Sequence, residues 1–306
     1  MVTRTFLQPQ PQTTDIIIGP GAMGLLLVWD LCSPSGVEKA ILIGKNTVRY
    51  PIHLESPNLV APPITSENSS FLSDISLANL TRSPRILVTV PPNQVKNVID
   101  TLARATLPKK FTVVFCNNGL ISSDLIAKLL KHHPEACVIR ALLHVGARRE
   151  VTGSQTLVVH TGGLRATWGW VHGTSPETLI GKVIQWEYRD DILKLEAEKL
   201  FINLVLAEVM GNRPIPNGEL WNRITKEKTQ QAAEVFCEIF SERTLNSKSL
   251  LESLSQTVCD TAQNINSISA ALTRNDSGPR DSVEQSLRDQ SSNKSTAAKF
   301  FGLLKE

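Results

Sequence analysis

The sequence predicts an α/β fold in which an N-terminal doubly wound parallel sheet is followed by an all-helical C-terminal domain. Three observations lead there. Short aliphatic runs alternate with helical stretches through the first half of the chain. The first run, "DIIIGPGAMG" at residues 15–24, passes straight into Gly-x-Gly-x-x-Gly. Beyond residue 187 the strand-like runs cease and helical apolar spacing takes over.

Residues 1–14 lack an apolar core and read as a short flexible tail rather than a secretory signal. Residues 15–18 read as a buried strand and 22–32 as a helix with few polar residues. "KAILIG" at 39–44 is the second strand. Residues 45–84 are irregular, with one strand expected near 53–60. "RILVTV" at 85–90 is a buried strand. The helix after it carries Val95, Val98, Ile99, Leu102 and Ala103 at helical spacing. "FTVVFC" and "ACVIRALL" are further strands, separated by a helix over 121–132. "TLVVHTGG" and "RATWGW" read as two strands joined by a Gly-rich turn at the sheet edge.

The helical half begins with "DDILKLEAEKLFINLVLAEVMG", which ends at Gly211-Asn212, a C-cap signal. "NGELWNRITKEKTQQAAEVFCEIFSE" and "SKSLLESLSQTVCDTAQNINSISAAL" read as further helices. Residues 273–296 carry almost nothing apolar and read as loosely attached. The apolar end "AAKFFGLLKE" has material for one or two helical turns. The expected division is a tail over 1–14, a dinucleotide-binding domain over 15–187, a helical substrate domain over 188–272 and a polar, poorly ordered segment over 273–306.

Composition is that of an ordinary globular protein, 41% hydrophobic and 20% charged over 306 residues. A net charge of +3 does not argue for a nucleic-acid surface. No apolar run is long enough to cross a bilayer. Cys32, Cys116, Cys137, Cys237 and Cys259 form no C-x-x-C pair and read as buried, reduced thiols, which fits a cytoplasmic location.

The glycine spacing alone would arise by chance about 0.05 times in a chain of this glycine content. Its place after a strand and before an apolar helix makes it a Rossmann-type turn, with a purely structural turn as the alternative. Gly19 then permits the tight turn, Gly21 lets backbone approach a diphosphate, and Gly24 lets helix and sheet pack closely. Pro20 shapes the turn, and the N–H groups of Ala22 and Met23 face the negative charge. At the end of the second strand Lys45 stands where an acidic residue would bind the ribose of NAD. A cation there suits a 2′-phosphate, so NADP(H) is the expected cofactor, unless Lys45 is only a solvated surface residue.

Reduction of a carbonyl also needs a proton donor. Lys199 and Asn203 are four residues apart on an apolar helix and share a face. An apolar setting lowers a lysine's pKa and makes it an acid. The plainer reading is a Glu196–Lys199 surface ion pair with a snorkelling stem. "CNNGL" puts Asn117 and Asn118 at the carboxyl edge of the sheet, where open α/β sheets bind ligands, although Asn before Gly also simply makes turns. His144 is a further strand-end residue, more readily explained as structural. There is no metal-ligand cluster, nucleophile elbow or P-loop.

"IIIGPGAMG", "ILVTVPPNQV", "VVFCNNGL", "LHVGARRE", "EKLFINLVLAEVMGNRPIPNGEL" and "TAQNINSISAAL" follow one another in this order. Together they resemble the ketopantoate reductase (2-dehydropantoate 2-reductase) family over residues 15–272. The resemblance implies a Rossmann domain followed by a helical one. It also implies NADPH-dependent reduction of 2-dehydropantoate to (R)-pantoate, a step of pantothenate and coenzyme A biosynthesis. Lys199 matches the family's catalytic lysine, which protonates the keto oxygen. Asn118 matches the asparagine that binds cofactor and substrate, and Asn203 the first helix asparagine of the substrate site. Ser267 matches the serine that holds the substrate carboxylate, and Lys45 the basic residue for the 2′-phosphate. The chain departs from the family at Pro91-Pro92, where a cofactor-contacting lysine is usual, and at Ala207, where a second asparagine is usual. Glu284 is the nearest candidate for the glutamate that binds the substrate hydroxyl.

The expected partner is therefore a small 2-oxo acid, with neither nucleic acid nor membrane involved. Apolar helical faces over 220–272 leave a homodimer open. The alternatives are reduction of another 2-oxo acid and NADP binding without catalysis.

Overall fold

The computed structural model describes residues 15–31, 40–44, 48–56, 62–66, 69–72, 83–173, 179, 181, 183–210, 215–260, 287 and 294–304. The expectations for residues 1–14, Cys32, Lys45, Gly211-Asn212, Ser267 and Glu284 lie outside these residues. The chain divides into two compact units. One combines Met1–Val90, Asn97–Cys116 and Ala127–Arg189, the other Pro91–Lys96, Asn117–Ile126 and Asp190–Glu306.

Among the described residues the first unit holds a nine-stranded sheet. Its strands are β1 (Asp15–Ile18), β2 (Ala40–Ile43), β3 (Ile52–Glu55), β4 (Ser69–Leu72) and β5 (Arg85–Val88), then β6 (Thr112–Phe115), β7 (Cys137–Thr152), β8 (Gln155–His172) and β9 (Gln185–Tyr188). The order is β3-β8-β7-β6-β5-β1-β2-β4, with β9 also on β8. Strands β4, β2, β1, β5, β6 and β7 run parallel, while β7 and β8 are antiparallel. The chain leaves β1 for β2 on one side and later fills β5 and β6 on the other. The carboxyl end of β1 is therefore the point where the winding reverses, the place open α/β sheets use for ligands.

The central strands are buried on both faces, as parallel strands require, which is why "DIII", "RILV" and "TVVF" are continuous apolar runs. Ile17, Leu87 and Val114 face α1 (Ala22–Leu31) and the β7–β8 hairpin in one core. Asp15 and Arg85 sit opposite each other in β1 and β5 and form a two-bond ion pair, at 2.7 and 3.0 Å. Helices α2 (Pro92–Arg104) and α3 (Ser123–His132) follow β5 and β6. Pro92 occupies the first helical position of α2, where its missing N–H costs nothing.

The second unit is helical: α4 (Ile192–Met210), α5 (Asn217–Leu220), α6 (Lys226–Ile239), α7 (Ser247–Asp260) and α8 (Lys294–Leu304). Its core centres on Phe201, Phe236, Phe240 and Phe300, with ring centroids of Phe236 at 5.3, 4.6 and 5.7 Å from the other three. The Arg243 guanidinium lies 3.1 Å from the Glu196 carboxylate and donates to the Leu193 carbonyl at 2.6 Å, tying the turn after α6 to α4.

Four sequence expectations change. "TLVVHTGG" and "RATWGW" are one strand, β8, inside the sheet between β7 and its neighbours β3 and β9. Gly162 and Gly163, at φ +143° and +73°, absorb a bulge against β7 instead of making a turn. The hairpin turn lies at Gly153, φ +54°. Second, "NGELWNRITKEKTQQAAEVFCEIFSE" is broken by extended backbone at Thr225. Third, the apolar tail forms an eleven-residue helix, because Ala297, Phe300, Phe301 and Leu304 repeat at helical spacing and are buried. Fourth, the cysteines are not all buried, since Cys259 is exposed.

Candidate active site

The glycine turn is fixed by three neighbouring strands. The Gly19 N–H donates to the Ile43 carbonyl at the end of β2. Thr89, just past β5, donates its hydroxyl to the Gly19 carbonyl at 2.7 Å. Arg149 of β7 donates to the Pro20 carbonyl at 3.0 Å. Gly19 has φ +95°, a conformation that favours glycine. A Cβ on Gly24 would fall 2.5 Å from the Gly19 oxygen and 2.7 Å from Thr89 Oγ1, so only glycine allows α1 this close.

Gly21 is different. A Cβ there would meet nothing nearer than the Gly19 oxygen at 4.0 Å, so packing within the described protein does not explain this glycine. It is exposed beside Ala22 and Met23, the first residues of α1, whose N–H groups have no partner within the helix. An open space, free amides and a helix N-terminus at the switch point fit the diphosphate of a dinucleotide.

Asn117 and Asn118 follow β6. Asn117 is buried and donates from Nδ2 to the Asn118 carbonyl at 2.9 Å, and Gly119 turns the chain at φ +83°. The turn-making role thus falls to Asn117 and Gly119, while Asn118 is exposed. Leu120, two residues on, packs into the core that contains Leu200, Phe201 and Leu204. The Asn118 loop and α4 therefore belong to one unit.

Helix α4 is buried on most of its circumference. Lys199 and Asn203 are half-buried, one turn apart, and Ala207 continues their line at 2% exposure. Glu196 is 3% exposed and bound by Arg243. His144 is an exposed strand residue opposite Arg165. Among the described residues no group of three or more His, Cys, Asp or Glu could hold a metal ion. Sequence reasoning missed Arg149, whose contact with the turn joins residues far apart in the chain.

Switch-point turn and parallel sheet are those of a Rossmann-type dinucleotide-binding domain. The model of the ketopantoate reductase PanE/ApbA family matches residues 16–172, and the chain belongs to that family. Among solved structures it is similar to a probable 2-dehydropantoate 2-reductase of Bacillus subtilis, at 20% identity and TM-score 0.71 over 95% of this chain and 98% of that one. The dimeric ketopantoate reductase of Staphylococcus aureus matches at 14% identity and TM-score 0.68, over 95% and 97%. D-mandelate dehydrogenase with NADH and anilino(oxo)acetate matches at 12% and 0.67, over 95% and 97%. These likenesses carry the fold. Among curated proteins no relative matches. Among the described residues no helix is long and apolar enough to cross a membrane.

Proposed function

We propose that this protein reduces 2-dehydropantoate to pantoate with NADPH, with Lys199 as the general acid. The observation that carries the reading is the pair Lys199 and Asn203, half-buried one turn apart among the buried apolar residues Leu200, Phe201, Ile202, Leu204, Val205 and Leu206. Family membership supports the substrate. The glycine turn with Ala22 and Met23 would hold the dinucleotide diphosphate, and Lys45 its 2′-phosphate. When bound, the nicotinamide supplies the hydride for the carbonyl carbon. Lys199 Nζ then gives a proton to the carbonyl oxygen, so that charge does not build up as an alkoxide. Asn118 and Asn203 orient the substrate, Ser267 receives its carboxylate, and Glu284 is the candidate for its hydroxyl. The cytoplasm as the location and a homodimer as the assembly belong to the same reading.

Ala207 favours a second reading, a 2-oxo acid with fewer polar groups, because an apolar methyl continues the Lys199–Asn203 line. NADPH and NADH oxidation across a panel of 2-oxo acids that includes 2-dehydropantoate tests both. Highest kcat/KM for 2-dehydropantoate with NADPH is expected. A preference for another acid selects the second reading, and cofactor binding without oxidation of any panel member refutes both.

A further inference from the structure

We propose that Arg149 is a cofactor-binding residue that adds a positive charge to the diphosphate site while bracing the glycine turn. The inference rests on the dinucleotide reading of that turn.

The alternation of β7 separates two adjacent arginines. Arg148 is exposed and pairs with Glu150, two residues on, at 3.0 Å. Arg149 lies on the opposite face with Ala147, which packs against the core containing α1. Continuing along that face, the half-buried guanidinium reaches the turn that opens α1 and donates to the Pro20 carbonyl at 3.0 Å. Pro20 has no N–H with which to anchor itself, so this carbonyl is its one hydrogen-bonding group.

A turn that needed only bracing would be served by a neutral donor, as Gly19 is served by Thr89. Arg149 instead brings a full charge, and no carboxylate among the described residues forms an ion pair with it. A guanidinium has five N–H donors in a planar fork suited to phosphate oxygens, and the Pro20 carbonyl uses one of its nitrogens. The charge stands one residue before Gly21, the glycine whose open side protein packing does not explain. The α1 N-terminus adds its partial charge to the same place. Both favour a ligand with two adjacent phosphates.

Binding measurements on the full-length protein test this. Arg149→Gln keeps an N–H for Pro20 and removes the charge, and Arg149→Lys keeps the charge. The probes are NADPH and adenosine 2′-monophosphate, which lacks the diphosphate. Arg149→Gln is expected to weaken NADPH about tenfold, to leave adenosine 2′-monophosphate unchanged, and to narrow its difference from wild type as salt rises. Arg149→Lys should recover most of the NADPH affinity. Unchanged NADPH affinity in Arg149→Gln, or equal losses for both probes, overturns the proposal. Failure of Arg149→Lys to recover affinity in a folded protein also overturns it. If wild type itself does not bind NADPH, the dinucleotide reading fails and takes this inference with it.

Discussion

The Asp30 carboxylate accepts the indole N–H of Trp186 at 2.7 Å, across 156 residues of sequence. It also accepts the backbone N–H groups of Val183 and Ile184, each at 2.8 Å. Asp30 is 1% exposed and sits in α1, so one buried carboxylate fastens that helix to the chain entering β9. Asp30→Ala leaves three donors without this acceptor and should cost about 3 kcal/mol or more in urea unfolding. Asp30→Asn turns one acceptor into a donor and should cost about 1–2 kcal/mol. Wild-type stability in both variants would refute this account.

Lys199→Ala should lower kcat by about 10² or more and leave the NADPH Kd within about threefold. Retention of wild-type turnover would remove Lys199 from the mechanism.

Gly21 and Gly24 should separate ligand from packing. Gly24→Ala places a methyl against the Gly19 oxygen and should cost about 2 kcal/mol or more of stability. Gly21→Ala meets open space and should leave the melting temperature nearly unchanged while weakening NADPH about tenfold or more. Thermal melts and dinucleotide titrations of both variants check the contrast.

Arg243→Ala should cost about 3 kcal/mol, because it removes the guanidinium bound to the buried Glu196 carboxylate. Arg243→Met combined with Glu196→Leu should recover most of that loss in chemical unfolding. Equal instability of the single and double variants would contradict the assignment.

Burial pushes the Cys116 thiol from its ordinary 9.0 up to about 12, against the smaller opposing pull of Arg140 and Arg85. Folding thus favours the protonated thiol, and this contribution to stability is full below pH 9 and lost as pH rises toward about 12. At pH 8 a thiol reagent should label the exposed Cys259 in the native protein and reach Cys116 only after unfolding. Fast native labelling of Cys116 would contradict its placement.

The central strands were readable because parallel strands buried on both faces leave unbroken aliphatic runs, as in Ile16–Ile18 and Val113–Phe115. The glycine turn was readable because its constraints are local. Gly162-Gly163 in β8 reads as a turn in the sequence because a bulge and a turn use the same residue type, and only the partner strand tells them apart. Helix α8 was underestimated because its burial depends on Phe201 and Phe236, distant in sequence. Asp30 and Arg149 carried no signal at all. A lone acid in an apolar helix and one of two adjacent arginines gain meaning only from Trp186 and Pro20.

The two units exchange the chain repeatedly, with 91–96 and 117–126 assigned to the helical unit although they follow strands of the sheet. Cutting after Arg189 would leave the first fragment carrying Leu120 without the apolar partners that bury it. Neither unit is therefore a module that recombination could transplant whole. Changes to α4 and the Asn118 loop come by substitution within this one chain, not by exchange of a ready-made domain.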